Sequence, residues 1–378
     1  MFTLINRTTI LICIVAMVGC ECFATNTFNK VAPGTAQYVT SSTVIAKPLR
    51  IFQSNNGIVD EITFSPDSKL IASGGVSDNV VVWDVRSGQQ KFVLKGVHSN
   101  NIFSRVRNLI FSPDSKRLFT TAHWESTVKQ WDMKTGVNIY TLTHEDICLG
   151  SLAHSTRCGI YATTGNKTVL SNANDPAEYG IWLWQSESNN LKSVLFGSSD
   201  LLTTVAISPS DKYVISGSRD GFVTIWDIVK EKKILSISAH NRIVSDISFS
   251  PDGKYFASAG GDGVVKIWIT TNFEKVELEK DKKFICKQII KTHQPHITSV
   301  DWSIDGKQIG IASYRSTDQS GNSANISIYS TSTGNELMNL GNYGGRDICF
   351  SPNGKYFATS HKNGAICLWP TSAFSPTK

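Results

Sequence analysis

The sequence has no cysteine framework. Of its eight cysteines, Cys13, Cys20 and Cys22 crowd the N-terminus, and Cys148, Cys158, Cys286, Cys349 and Cys367 are odd in number, widely spaced and never in a Cys-x-x-Cys pair. That excludes a disulfide-stapled small fold and paired-cysteine zinc sites; the five read mostly as small buried residues, with at least one free thiol. Long runs of one charge are missing too. The 37 basic and 31 acidic side chains leave a net charge of +6 spread along 378 residues, without the basic tails of nucleic-acid binders. Hydrolase and nucleotide signatures are also lacking: there is no Gly-x-Ser-x-Gly elbow, no His-Glu-x-x-His and no P-loop Gly-Lys-Thr.

What is present begins with "MFTLINRTTILICIVAMVGCECFATN": one positive residue, Arg7, an apolar stretch from Ile10 to Val18, then small residues. This is the tripartite pattern of an export leader, and its apolar stretch is short for a membrane span. Two processing routes stand open, cleavage after Ala24 or lipidation at Cys20 within "MVGC", beside an uncleaved anchor. The expected organisation is a leader over 1–24, a linker over 25–46, a repeat domain over 47–370 and a tail over 371–378.

The repeat domain announces itself by Ser-Pro turns at Ser65, Ser112, Ser208, Ser250 and Ser351, with Ser303-Ile304-Asp305 as a degraded copy. An aromatic follows each unit's third strand: Trp83, Trp131, Trp184, Trp226, Trp268, Tyr329 and Trp369, spaced by 48, 53, 42, 42, 61 and 40 residues. Seven units with a period near forty point to propeller blades. Within one unit "IVSDISFS" alternates like a strand, "PDG" turns, "KYFASA" returns, "GGDG" turns again and "VVKIWI" is a third strand. "KKILSIS" supplies a fourth in the neighbouring unit. The last unit runs out before its fourth strand, and "KPLRIFQ" at 47–53 has the pattern to complete it. The predicted fold is therefore all-β, a seven-bladed β-propeller of four-stranded antiparallel blades, closed by an N-terminal strand that completes the C-terminal blade and removes an open edge.

Ser-Pro-Asp-Gly, then Asp262 six residues before Trp268, with Trp-Asp at Trp83, Trp131 and Trp226, resembles the WD-repeat family of β-propellers over about residues 47–370. The resemblance implies that His240, Ser258, Asp262 and Trp268 form a structural hydrogen-bonded tetrad rather than a hydrolase triad. Partial copies fall at His98, Thr121, Glu125 and Trp131, at Ser216, Asp220 and Trp226, and at Ser360, Asn363 and Trp369, while the first unit compresses the acid-to-tryptophan spacing, Asp78 to Trp83. It further implies an upper face, formed by the loops entering each blade and those between second and third strands. Arg107, Trp124, Arg219, Arg346 and Lys362 would lie there as a docking patch for a protein or acidic peptide partner, the alternative being scattered surface residues.

Insertions at 164–180, 270–283 and 314–325 lengthen loops, the first and third on the upper face and the second opposite. Sequons stand at Asn166 and Asn325. His293 and His296, three apart, are a weak metal candidate, and His144, Glu145 and Asp146 read as a solvated loop. The leading functional reading is an exported, monomeric, non-catalytic binding scaffold that needs no cofactor or metal, does not bind nucleic acid, and meets a membrane only through a lipid or N-terminal anchor. The runner-up is a propeller enzyme, a metal-dependent hydrolase or lactonase-like protein, whose ligands would converge from several blades in the central channel. A third reading keeps the scaffold on a cytosol-facing anchor, because unpaired cysteines suit a reducing compartment.

Overall fold

A computed structural model describes residues 47–53, 57–77, 79–97, 105–122, 127–143, 147–167, 178–271, 273, 285–292, 294–315, 323–341, 345–361 and 363–374. Its strands form seven four-stranded antiparallel sheets. Six sheets are contiguous in sequence and run outward in chain order; the seventh pairs Arg50–Gln53 with Ala365–Pro370. The first strands of the sheets pack against one another in succession and ring the axis, so each sheet is a blade. The blades are numbered 1 to 7 from Val59.

The reason for the repetition lies in the cores. The described residues form seven buried hydrophobic clusters, and each straddles a boundary between neighbouring blades. In a strand successive side chains face opposite ways. Leu118 therefore joins the blade 1 boundary and the next residue, Phe119, the blade 3 boundary. No blade has a core of its own; each buries its faces only against neighbours.

Closure follows the predicted route. Arg50 sits opposite Leu368 and Gln53 opposite Ala365, and Phe52, 1 % exposed, packs its ring 5.7 Å from that of Trp83 in blade 1. The tail opens with a 3-10 turn, Thr371–Phe374, whose Thr371 N–H donates to Lys355 O at 3.0 Å.

Two departures from the sequence reading shape the faces. The insertions at 164–180 and 314–325 begin and end as strand: Ile160–Lys167 pairs with Glu178–Gln185, and Gln308–Arg315 with Ser323–Ser330. Blades 3 and 6 thus carry eight-residue strands where most others have six. The alternation signal did not separate a lengthened strand from a loop in polar sequence. Secondly, every described unit from 1 to 6 has a register shift in its inner strand, as between Val59 and Glu61 and between Val106 and Asn108. Such bulges re-aim side chains, and they govern the upper mouth described below.

On the lower face the Ser-Pro turns satisfy their own backbone. Ser65 Oγ donates to Asp67 Oδ1 at 2.6 Å and accepts the Leu70 N–H at 2.9 Å, and the Lys69 N–H donates to Asp67 at 3.1 Å. The fourth residue of the turn takes positive φ. Glycine serves at 253, 306 and 354, yet Ser68, Ser115 and Asp211 adopt 59°, 59° and 58°. Those three side chains staple blades: Ser68 accepts the Asn353 N–H, Ser115 the Asp67 N–H, and Asp211 the N–H groups of Thr156, Arg157 and Cys158. The left-handed backbone is held by bonds that glycine cannot make.

Candidate functional site

The tetrad is complete in blade 5. Trp268 Nε1 donates to Ser258 Oγ at 2.9 Å, His240 Nε2 lies 2.8 Å from the same oxygen, and His240 Nδ1 lies 3.1 Å from Asp262 Oδ1. Ser258 is 0 % exposed, so no substrate can reach its hydroxyl; the oxygen is spent on the tryptophan. Burial holds the His240 imidazole below its ordinary pKa against the opposing charge of Asp262.

Elsewhere the tryptophan bond recurs with different partners. Trp184 donates to Thr163 and Trp226 to Ser216, both at 3.0 Å. In blade 2 the acceptor is Thr120, not Thr121, and in blade 7 it is Thr359, not Ser360. The neighbours face the other way: Thr121 Oγ1 donates to Gly150 O of blade 3, and Ser360 Oγ accepts the N–H groups of Arg346 and Asp347. His361, its pKa pushed down to about 4 by burial, lies 3.3 Å from Thr359 Oγ1. Asp220 receives Ser199 Oγ at 2.6 Å and the Ser218 hydroxyl, and Asn363 accepts the Ala365 N–H. In blade 1 Trp83 Nε1 is buried and has no hydrogen-bond partner among the described residues. His98, Glu125, Asp78 and the His144–Asp146 cluster fall outside the described residues, as does His293. His296 rests its ring 5.4 Å from that of Tyr314.

The docking patch divides. Trp124, Lys362 and Cys20 lie outside the described residues. Arg219 is 64 % exposed and grips Asp200 with two nitrogens, at 3.2 Å each. Arg346 is brought together with two residues that sequence reasoning missed, Asp60 and Arg105, and Arg107 lies two residues along from Arg105. Asp60 and Arg107 are the bulge residues of the inner strands of blades 1 and 2, and Arg346 stands at the corresponding place of blade 7. In blades 4, 5 and 6 that place holds Thr203, Ser245 and Thr298, whose hydroxyls donate to carbonyls of their own blades. At this register position, among the described residues, charged side chains are confined to blades 7, 1 and 2. There Arg346 Nη1 meets Asp60 Oδ1 at 3.0 Å and Arg105 Nη1 meets Asp60 Oδ2 at 3.5 Å. The Arg346 guanidinium also lies 5.6 Å from the Tyr314 ring centre, a cation–π contact. Arg107 is exposed and acts on Glu61 below it. Two guanidiniums meet the Asp60 carboxylate and a third, Arg107, stands two residues along from Arg105, so basic side chains outnumber Asp60 at this rim.

Deeper in the channel the sign reverses. Asp246, Asp301 and Asp347, on the inner strands of blades 5, 6 and 7, each accept the N–H of their own following residue and one from the next blade. Val300 N donates to Asp246 at 2.8 Å, Phe350 N to Asp301 at 2.7 Å and Ile62 N to Asp347 at 2.6 Å. Glu61 of blade 1 receives Asn108 of blade 2 at 3.3 Å. Burial raises Asp246 to about 6 and Asp301 and Asp347 to about 7, and lifts Glu61 well above its ordinary value; neighbouring carboxylates add to the rise in Asp301, Asp347 and Glu61. Carboxylates from several blades thus do converge on the axis, but they clasp backbone. Among the described residues no three His, Cys, Asp or Glu side chains gather closely enough to hold a metal ion.

Asn325 sits in a strand with Nδ2 donating to Ser327 Oγ at 3.0 Å and a buried Oδ1, a poor posture for glycosylation of the folded chain. Cys158, Cys286, Cys349 and Cys367 are all free thiols, and of these only Cys367 is fully buried.

A sequence model of the WD domain, G-beta repeat family matches residues 46–84, 90–132, 189–227, 231–268 and 340–370, together half of the chain. The chain belongs to the WD40 family. The segments unmatched by the WD40 model hold blades 3 and 6, the two with lengthened strands. Relatives include Periodic tryptophan protein 2 of Arabidopsis thaliana, 30 % identical over 186 residues, which are 49 % of this chain and 19 % of that protein. Protein tipD of Dictyostelium discoideum is 25 % identical over 333 residues, 86 % of this chain and 49 % of the relative. Nuclear distribution protein PAC1 of Arthroderma otae is 25 % identical over 222 residues, 53 % of this chain and 46 % of the relative. The chain spans between a fifth and a half of the length of these relatives. A chain in the crystal structure of the mitotic checkpoint complex superposes with a TM-score of 0.68 at 18 % identity, covering 92 % of this chain and 98 % of that one, a likeness of fold.

Proposed function

We propose that the ring is a non-catalytic platform for a protein partner, and that it engages an acidic segment of that partner at the upper mouth between blades 7, 1 and 2. The observation that carries this reading is the meeting of Arg105 and Arg346 at the carboxylate of Asp60, with the exposed Arg107 two residues along from Arg105. Arginine forks suit carboxylates, and a rigid ring holds them at fixed separation. Membership of a family with a relative fold in an assembled complex supports the same reading. The channel carboxylates are engaged in clasping adjacent blades, which disfavours the alternative of a metal-dependent hydrolase.

The leader "MFTLINRTTILICIVAMVGC" carries the proposal that the platform is exported, either tethered through a lipid on Cys20 or released by cleavage after Ala24. Intact mass of the protein from its native host separates these: an acylated Cys20, a new N-terminus at Thr25, or an untouched leader, the last refuting export as drawn and favouring a cytosol-facing ring.

Docking is tested with a deca-glutamate peptide and a deca-lysine peptide. The glutamate peptide is expected to bind, to weaken as salt rises, and to be lost on Arg105→Glu with Arg107→Glu. Preference for the lysine peptide would refute the acidic partner.

A further inference from the structure

The rim of the mouth and the acids beneath it are consecutive residues of the same inner strands. In blades 1 and 2 the bulge residues Asp60 and Arg107 are followed by Glu61 and Asn108, and in blade 7 Arg346 is followed by Asp347. Blade 5 repeats the step with Ser245 and Asp246. Consecutive Cα atoms lie about 3.8 Å apart, inside the screening length of about 8 Å at physiological salt, so charge in the channel reaches the rim. Arg107 shows the coupling directly: its guanidinium favours an ionised Glu61, which Asp60, Asp246 and Asp347 oppose.

The acids form one connected group. The Thr204 hydroxyl of blade 4 donates to Asp246 at 3.5 Å, and the Ser299 hydroxyl of blade 6 reaches both Asp246 and Asp347. Asp301 accepts the Ser248 hydroxyl at 3.4 Å and the Phe350 N–H, Asp347 accepts the Ile62 N–H, and Glu61 accepts the Asn108 amide at 3.3 Å. These donors are backbone, amide and hydroxyl groups, and none of them carries a compensating positive charge. Acids so placed share a channel in which each ionisation makes the next harder. The Cys349 thiol beside them is pushed well up by burial and by Asp347, Asp301 and Glu61, and His361 of the same blade is pushed down to about 4, so both stay neutral near pH 7.

Taking the acidic segment proposed above as the occupant of the mouth, we infer that the channel acids govern its residence: it binds while they are protonated and leaves as they ionise. The arginines keep their charge throughout, and the partner's own carboxylates, with ordinary values of about 4, are already ionised at about pH 6. What changes above that pH is the floor of the mouth. It gains negative charge as Asp246, raised to about 6, Asp301 and Asp347, raised to about 7, and Glu61, raised with them, lose their protons. That charge repels the partner's carboxylates and competes with them for Arg107. Linkage makes the effect reciprocal: an acidic segment at the rim makes the channel acids harder to ionise, so its binding near pH 7 takes up protons.

Calorimetric titration of deca-glutamate into the full chain at pH 6 and at pH 8 tests it. Binding roughly tenfold weaker at pH 8 is expected, within the usual span of coupling between sites. Near pH 7 the heat should differ between two buffers of different ionisation enthalpy in the sense of proton uptake. Glu61→Gln keeps an acceptor for the Asn108 amide and removes the acid on which Arg107 acts. It should bind more tightly than wild type at pH 8 and lose part of the pH dependence. His296→Gln removes the titratable ring that rests against Tyr314 beside Arg346, and should leave that dependence intact. Equal affinity at both pH values, tighter binding at pH 8, a dependence unchanged in Glu61→Gln, or one abolished in His296→Gln would overturn the channel's role and leave the docking standing. Absence of binding at either pH would refute the docking and the channel's role together.

Discussion

At the lower face the Asp67 carboxylate is absorbed locally, by a hydroxyl and an N–H of its own turn, and the pattern recurs in blade after blade. At the upper mouth the Asp60 carboxylate faces guanidiniums from two other blades, and among the described residues the pattern occurs once. Both sit at an end of an inner strand and both are aspartates. The difference is in what their removal would disturb: the lower turns bind the chain to itself, whereas the mouth arranges charge on a frame that other residues hold. In a repeat fold, what recurs builds the scaffold and what occurs once is free to serve recognition.

Substitutions can break or sharpen that contrast. The largest effect is expected at the seam, where Phe52→Ala removes a buried ring shared between the closing strand and blade 1; a loss of about 3–5 kcal/mol in urea denaturation is expected, and an unchanged midpoint would mean that the N-terminal strand does not close the ring. Next comes Asp211→Ala on the lower face, which orphans three N–H groups of blade 3; about 2 kcal/mol is expected. Arg107→Ala at the mouth should stay within about 0.5 kcal/mol. If the two had equal effects on stability, the division between faces would fail.

A third test uses pH. Asp301 and Asp347 have folded-state values raised to about 7, and Asp246 to about 6, above those of an unfolded chain. The folded ring therefore holds protons more tightly, and the stability this contributes is complete below the ordinary carboxylate range and is lost progressively as pH rises from there to the folded-state values of about 6 to 7. Denaturation midpoints should fall across that window with a slope of up to roughly 1.4 kcal/mol per pH unit for each proton released. Asp301→Asn keeps one acceptor oxygen, enough for only one of the Trp302 and Phe350 N–H groups, and removes the titrating proton, so it should flatten the profile; a variant whose profile has the same slope as the wild type would contradict the clasp. The smallest effect belongs to Ser115→Gly, which relieves a left-handed serine but loses the bond from Asp67 N; the two should nearly cancel, leaving less than about 1 kcal/mol.

The architecture was legible because its signals repeat: the Ser-Pro turns, the tryptophan period and the orphan strand at 47–53 located all seven blades and their closure. What the sequence hid depends on register. Thr120 and Thr121 are adjacent threonines on opposite faces, and only the pairing of Leu118 with Trp131 decides which receives the indole. The channel carboxylates escaped notice because they occupy two register positions: Asp246 and Asp347 pair at the level of Glu61, Asp301 two residues further along its strand. No fixed spacing in sequence links them. Asp60 and Arg105 were missed for a similar reason, since a bulge places Asp60 against residues 45 and 286 positions away.

The central claim is that the mouth between blades 7, 1 and 2 receives a partner. Photo-crosslinking in the native host, with a reactive residue at position 107 and, as a lower-face control, at position 254, tests it most directly. The account predicts one acidic protein captured from 107 and not from 254. Capture of the same protein equally from both positions, or from 254 alone, would contradict it.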